Sequence, residues 1–155
     1  MASAKTRDFE LFETIIANTG GQSASIDLNS FVEVSDMEAF GLEGVEVSID
    51  TDETTPNTAA YKLQIAIEDL GSGFISHADY NSLYLTNVNV PTGYIHESLS
   101  LGDTKQIRYI PGGTLYIRAQ ETGASATNLC VRLTGKISKL SAKDYMALAL
   151  TKASN

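Results

Sequence analysis

The sequence predicts an all-β protein, an antiparallel sandwich of two sheets. Apolar or alternating stretches recur about every ten to fifteen residues and are separated by clusters of Gly, Pro, Asn, Asp and Ser. No segment between them offers the roughly ten helical residues that a crossover between parallel strands requires. A sandwich of jelly-roll type with a short C-terminal helix matches this pattern best, and an immunoglobulin-like sandwich is the alternative.

The length of 155 residues is typical of one domain. We therefore predict a single jelly-roll domain over residues 1–155, with 1–16 as an N-terminal arm or strand and 138–155 as a C-terminal tail or helix. The first residues lack the long apolar core of a signal peptide, and no stretch reaches the roughly 18 apolar residues of a membrane span. The sequence therefore predicts no membrane span.

The first candidate strand is FELFETII, which also permits a short helix because Phe9, Phe12 and Ile16 have helical spacing. One or two short strands are predicted in ASIDLNSFVEV, and a loop or one helical turn in SDMEAFGLEG. A strong pair of strands is predicted from VEVSID and AYKLQIAI. The connection between them, TDETTPNT, is too long for a two-residue hairpin turn and predicts an exposed loop.

A second long loop is predicted in EDLGSGFISHADYNS. Two strands follow, LYLTNVNV and YIHESLSL, around a tight reversal at PTG. A further strand, KQIRYI, leads into PGG, where Pro111 and Gly112 suit the centre of a type II turn because glycine tolerates positive φ. The last segment, SAKDYMALALTKASN, predicts a short helix that begins with a capping box of Ser141 and Asp144.

The two longest candidate strands lie in YIPGGTLYIRAQETGASATNLCVRLTGKI, residues 109–137. Period-two alternation predicts these core positions: Leu115, Ile117, Ala119, Leu129, Val131, Leu133 and Ile137. The intervening positions include Tyr116, Arg118, Arg132 and Lys136, which we predict to form one polar basic face.

Charge is unevenly distributed along the chain. Twelve acids and two bases give residues 1–53 a net charge of −10, whereas seven acids and nine bases give residues 54–155 a charge of +2. Either the two sets pair across strands within one fold, or acidic and basic surfaces of neighbouring copies meet in a salt-sensitive assembly. The net charge of −8 argues against general nucleic-acid binding, so we expect nucleic-acid contact to be absent or indirect.

No catalytic signature occurs in the chain. HESLS at 96–100 has Ser100 where a zinc-protease helix needs its second histidine, and His77 falls in a predicted loop, where an exposed side chain is expected. Cys130 is the only cysteine and is predicted to be a partly buried strand residue. We therefore expect a protein that is not an enzyme, with no catalytic, cofactor-binding or metal residues, no cofactor and no small-molecule substrate.

One loop concentrates oxygen ligands that could hold Ca²⁺: Asp50, Asp52, Glu53 and Asn57. Thr54 and Thr55 interrupt the spacing of an EF-hand. A plain solvated loop is the preferred interpretation, and calcium stays open as the alternative.

The stretch GGTLYIRAQETGASATNLCVRLTGKI with its short tail resembles the closing strands of single jelly-roll capsid proteins of viruses. VEVSIDTDETTPNTAAYKLQIAI similarly resembles a paired sandwich strand with an exposed end loop. The resemblance implies a virion structural protein that assembles with copies of itself into a shell in the host cytoplasm, with other virion proteins as partners. Loops 50–58 and 70–82 would be tower-like or intersubunit elements, and the two terminal segments would reach neighbours or the shell interior.

Three alternatives stay open for the function. The chain could be a decoration or cement protein on another viral shell. It could be a carbohydrate-binding or adhesive β-sandwich module, although the absence of Trp counts against a sugar site. A small enzyme on a β-sandwich is the third, for which the sequence offers only scattered carboxylates.

Overall fold

In a computed structural model of the chain, residues 7–49, 59–90, 96–100, 107–121 and 127–153 are described, and they form nine strands and one α-helix. The strands are β1 (Arg7–Ala17), β2 (Gln22–Asp27), β3 (Glu38–Ile49), β4 (Ala59–Ala66), β5 (Ser82–Val90), β6 (His96–Ser100), β7 (Arg108–Ile110), β8 (Thr114–Glu121) and β9 (Thr127–Lys139). The helix is α1 (Ala142–Ala153), and two 3-10 turns, Leu28–Ser30 and Val34–Asp36, connect β2 to β3.

The strands form two antiparallel sheets. The first sheet has the order β1-β9-β3-β6, with β7 also paired to β3, and the second has the order β2-β8-β4-β5. The first strand of the chain therefore lies beside the last, and the second strand lies beside β8. This nested order is that of a jelly roll, whereas an immunoglobulin-like sandwich keeps its first two strands in one sheet. The predicted fold class is confirmed.

Most consecutive strands lie in opposite sheets, which corrects the predicted pairing. VEVSID lies in β3 of the first sheet and AYKLQIAI in β4 of the second, so these two strands do not pair. β8 and β9, which follow one another along the chain, likewise lie in different sheets. The PTG reversal lies outside the described residues. Adjacency in sequence is therefore a poor guide to pairing here.

The core lies between the sheets. The predicted inward positions of β8 and β9 are confirmed, because all seven are at most 2% exposed. Each large apolar side chain buried in this way contributes about 1.5–3 kcal/mol relative to an exposed one. At Gly135 the core has no room for a side chain: a Cβ there would meet Phe40 Cζ at 2.8 Å and the carbonyl oxygen of Gly41 still closer.

FELFETII is a strand rather than a helix. β1 pairs with β9 from Arg7 opposite Ile137 to Ala17 opposite Thr127. Leu11 and Ile15 face the core. Phe12 and Ile16 lie on the outer face of β1. Apolar residues on both faces of the strand give the sequence its helical spacing.

β3 begins earlier than the sequence predicts. SDMEAFGLEG was expected to be a loop or one helical turn, but the 3-10 turn ends at Met37, which has a φ of 61°, and the strand starts at Glu38. From there β3 pairs with β9, with a shift of register between Leu42 and Gly44. Only the first residues of the segment form the predicted turn.

The positive φ predicted for the PGG turn is observed, and the helix start is like a capping box in one of its two hydrogen bonds. Gly112 has a φ of 94°, which a residue with a side chain rarely adopts. At the start of α1 the Ser141 hydroxyl donates to Asp144 Oδ2 at 2.7 Å, and the Asp144 N–H donates to Ser141 Oγ at 3.1 Å. Within the described part of the chain, no helix is long and apolar enough to cross a bilayer.

Candidate functional site

The basic strand β9 lies between the two acidic strands β1 and β3. Lys136 Nζ is 3.6 Å from Glu43 Oε1 of β3 and lies opposite Asp8 of β1. At the end of the sheet, Arg7 Nη2 is 3.4 Å from Glu38 Oε2. The acidic first third and the basic last third of the sequence therefore adjoin within one sheet. This arrangement favours the interpretation that the charges pair inside the fold, although such exposed pairs contribute only about 0–1 kcal/mol each.

Arg132 links the same three strands on the outer face of the first sheet. It lies opposite Phe12 of β1 and opposite Glu46 of β3. Its guanidinium carbon is 5.1 Å from the centre of the Phe12 ring, within the range of a cation–π interaction. Phe12 nevertheless remains 60% exposed.

The predicted single basic face does not exist. Tyr116 and Arg118 lie on β8 of the second sheet, and Arg132 and Lys136 lie on β9 of the first sheet. Because each set points away from the shared core, the two sets are on opposite sides of the sandwich. The alternation was predicted correctly, but the strands that carry it are not neighbours.

Arg118 is buried beneath a loop rather than available to a partner. Only 5% of the residue is exposed. Nη1 donates to Ser23 Oγ at 3.1 Å and to the Gly71 carbonyl at 3.2 Å, and Nη2 donates to the Gly20 carbonyl at 3.3 Å. The side chain therefore connects the turn before β2, β2 itself and the loop after β4.

The loop at 70–82 lies across the outer face of the second sheet. Gln64 is fully buried there: Nε2 donates to the Ile75 carbonyl at 3.0 Å and to Ser82 Oγ at 2.9 Å, and Oε1 accepts from the Ile75 N–H at 2.9 Å. The Lys62 ammonium is 4.6 Å from the centre of the Phe74 ring. The middle of this loop is thus held on the sheet instead of projecting as a tower. Loop 50–58 lies outside the described residues.

A groove runs between β1 and β2, which are the strands at one edge of the two sheets. Its volume is about 420 Å³. Phe12 and Phe31 form its apolar rim, with exposures of 60% and 39%. Glu10, Glu13 and Asp27 add negative charge, and no Lys or Arg is among its described lining residues.

The groove has an apolar floor, formed by the buried residues Leu11 and Ile26. Phe31 of its rim is held in place by two neighbours: the rings of Phe9 and Phe31 lie 5.0 Å apart, and Arg7 Nη2 donates to the Phe31 carbonyl at 3.0 Å. Sequence reasoning missed this groove. The available signal was the pair of apolar residues, Phe12 and Ile16, on the outward side of β1.

The helix α1 is held to the sandwich along one side. The Tyr145 hydroxyl donates to the Pro111 carbonyl at 3.0 Å, and Lys152 Nζ donates to the Gly112 carbonyl at 3.0 Å. Burial raises the pKa of the Tyr145 phenol. Met146 and Leu150 are 57% and 62% exposed. The sequence predicted the helix but not which of its sides is exposed.

The residues considered for chemistry are dispersed. His77 is exposed in its loop, with Nδ1 3.0 Å from Ser82 Oγ, and His96 begins a strand rather than a zinc-protease helix. Cys130 is half-buried in β9, as expected. Within the described ranges, no three His, Cys, Asp or Glu residues converge as metal ligands. The calcium candidates Asp50, Asp52, Glu53 and Asn57 lie outside those ranges.

No protein-family model and no curated protein matches the chain. Among solved structures it is similar to the decameric BFDV capsid protein, with 8% identity and a TM-score of 0.46 over 88% of this chain and 99% of that one. It is also similar to the structure of maize chlorotic mottle virus, with 13% identity and a TM-score of 0.38 over 88% and 94% of the chains. For the nora virus structure the values are 9% and 0.39, and the match spans 92% of this chain but only 63% of that one.

The resemblance to viral capsid proteins noted in the sequence is therefore found among solved structures as well. With TM-scores below 0.5 and identities of 8–13% in the structures named, these matches establish no shared function. The jelly-roll assignment rests on the strand order of this chain.

Proposed function

We propose that the chain is a virion structural protein, a single jelly-roll capsid subunit that assembles with copies of itself into a viral shell. The observation that carries the proposal is a jelly roll with two separate apolar surfaces, the groove between β1 and β2 and the exposed side of α1. Contiguous apolar patches of more than a few hundred Å² mark interaction sites, and in this proposal the two surfaces serve as such sites.

Two different surfaces on one chain favour repeated assembly. When each copy uses one surface to contact a different surface of the next copy, the contacts continue from subunit to subunit. They form a ring if the rotation between copies closes and an open filament if it does not. A rigid sandwich core suits this role because neighbouring copies then meet at fixed angles. In this proposal residues 1–155 form one domain located in the virion, and other virion proteins are further partners.

The proposed role involves no catalysis, cofactor or small-molecule substrate. The cations of β9 face acids of β1 and β3 in their own sheet, so contact with nucleic acid would be indirect. Tyr116 and Arg118 offer no second basic surface, because Arg118 is engaged beneath the loop at 70–82.

Negative-stain microscopy of the purified protein at low and high salt tests the proposal. We expect rings, capsomers or shells. If acidic and basic surfaces of neighbouring copies meet, fewer of these assemblies should form at high salt, because salt screens the attraction. Single particles of monomer size under every condition, from a protein with a native circular dichroism spectrum, would count against it.

The same preparation separates the alternatives. A monomer that binds only to a preassembled viral shell would indicate a decoration or cement protein. Jelly rolls also occur in lectins. Binding to a defined glycan that EDTA abolishes would therefore indicate the carbohydrate-binding alternative and direct attention to Asp50, Asp52 and Glu53.

A further inference from the structure

We infer that the exposed side of α1 in one copy docks into the β1–β2 groove of a second copy. The inference rests on the proposed self-assembly and names the contact that would produce it. Three features support the contact: the helix has an exposed apolar side, the groove is apolar as well, and the two surfaces carry opposite charges.

Four exposed residues of the helix share one face, and the exposed Ala142, Asp144 and Thr151 flank it. Lys143, Met146, Ala147 and Leu150 are all exposed and follow the spacing i, i+3, i+4, i+7, which places them on one face. This is the anchor pattern of a helix that binds in a groove.

The contacts of α1 with its own subunit lie on the opposite face. At 100° per residue, Tyr145 and Lys152 point about 150° and about 170° away from the centre of the exposed face. These two residues hold the helix to the turn at Pro111 and Gly112. The centre of the exposed face, with Met146 and Leu150, is therefore directed away from its own sandwich, whereas Ala147 at its edge lines a cleft with Tyr109 and Leu140. A partner that contacts Met146 and Leu150 comes from another molecule.

The groove complements this face in polarity and charge. Its floor is apolar at Leu11 and Ile26, and Phe12 and Phe31 can receive Met146 and Leu150. Lys143 precedes Met146 by one turn and would meet acids of the groove rim. The described lining contains Glu10, Glu13 and Asp27, whereas the nearby cations Arg132 and Arg7 are engaged with the Phe12 ring and with the Phe31 carbonyl. Lys143 would therefore add positive charge to a lining that is acidic.

A charge exchange between copies tests the contact. Lys143→Glu alone, or Glu10→Lys with Glu13→Lys, should raise the dissociation constant for self-association about tenfold or more. Mixing the two variants should restore association, because the acidic helix of one then meets the basic groove of the other. Lys62→Glu makes the same charge change on the outer face of the second sheet and should leave association unchanged.

Disulfide trapping tests the geometry directly. Two proteins are mixed, each in a Cys130→Ser background, one carrying Phe12→Cys and the other Met146→Cys. They should form an intermolecular disulfide under mild oxidation. The matched control pairs Met146→Cys with Ser72→Cys, an exposed position on the loop at 70–82. Equal cross-linking by the control, or equal cross-linking by Phe12→Cys alone through contact between two β1 edges, would overturn the inference.

The outcomes separate this inference from the proposed function. If the wild-type protein assembles and Lys143→Glu assembles equally well with an unchanged thermal unfolding curve, the helix contact is wrong and the capsid role stands. If the wild-type protein never associates, both are wrong. Loss of association in Met146→Ser with Leu150→Ser, again with unchanged unfolding, supports the helix contact.

Discussion

Two polar residues that face outward from the second sheet are buried by a loop. Gln64 and Arg118 lie directly opposite each other on β4 and β8, and both are at most 5% exposed. Both donate hydrogen bonds to the loop above them, Gln64 to the Ile75 carbonyl and Arg118 to the Gly71 carbonyl. The pattern of alternation gives the direction of such side chains but not what covers them. Their burial could not be predicted because it depends on how the loop at 70–82 folds back.

Gln64→Ala should lower the free energy of unfolding by about 1–3 kcal/mol, because the buried Ile75 N–H and carbonyl would lose their partner. Urea denaturation measures the change. The matched control is Gln120→Ala on the same sheet, which removes one exposed hydrogen bond to the Thr19 carbonyl. We expect the control to cost much less, and equal costs would contradict the role assigned to Gln64.

The Tyr145 contact should depend on pH. Burial raises its pKa in the folded protein, so the neutral phenol is favoured by folding. The stabilisation is fully present below pH 10, the ordinary tyrosine value, and is lost as pH rises through the folded pKa. The protection of the α1 amides against hydrogen exchange, relative to the base-catalysed exchange of an unfolded chain at the same pH, should therefore fall above pH 10. Tyr145→Phe keeps the ring but not the hydroxyl and should remove this component, and an unchanged pH profile in that variant would contradict the assignment.

At the scale of elements, strands were predictable and their partners were not. Alternation placed β8 and β9 correctly because the period of two reflects only which side faces the core. Pairing depends on which sheet each connection leads to, and most connections here cross between sheets. β1 was ambiguous for a related reason. β1 is an edge strand beside a groove and carries apolar residues on both sides. Its sequence therefore lacks a clear alternation with a period of two.

The close approach of β9 and β3 gives a prediction at this scale. Gly135→Ala should destabilise the protein by about 1–3 kcal/mol or more, because the new methyl group would overlap Phe40 and the Gly41 carbonyl. Gly73→Ala is the matched control, since open space surrounds that position and its φ is not positive. Thermal unfolding compares the two variants, and a Gly135→Ala protein as stable as the control would contradict the described packing.

At the scale of the whole molecule, the jelly roll brings the ends of the sequence together. β1 pairs with β9, so the acidic start and the basic end of the chain become neighbours in one sheet. The sequence contained this charge difference but could not distinguish pairing within one copy from pairing between copies. The β1–β2 groove was also beyond sequence reasoning, because it exists only where the edges of two sheets meet.

The central claim is that the protein forms a shell from copies of itself. Light scattering coupled to size-exclusion chromatography measures the mass of the particles in solution as the protein concentration is raised at low salt. We predict discrete species of many times the chain mass of 16.6 kDa. A mass that stays at 16.6 kDa across all concentrations would contradict the claim.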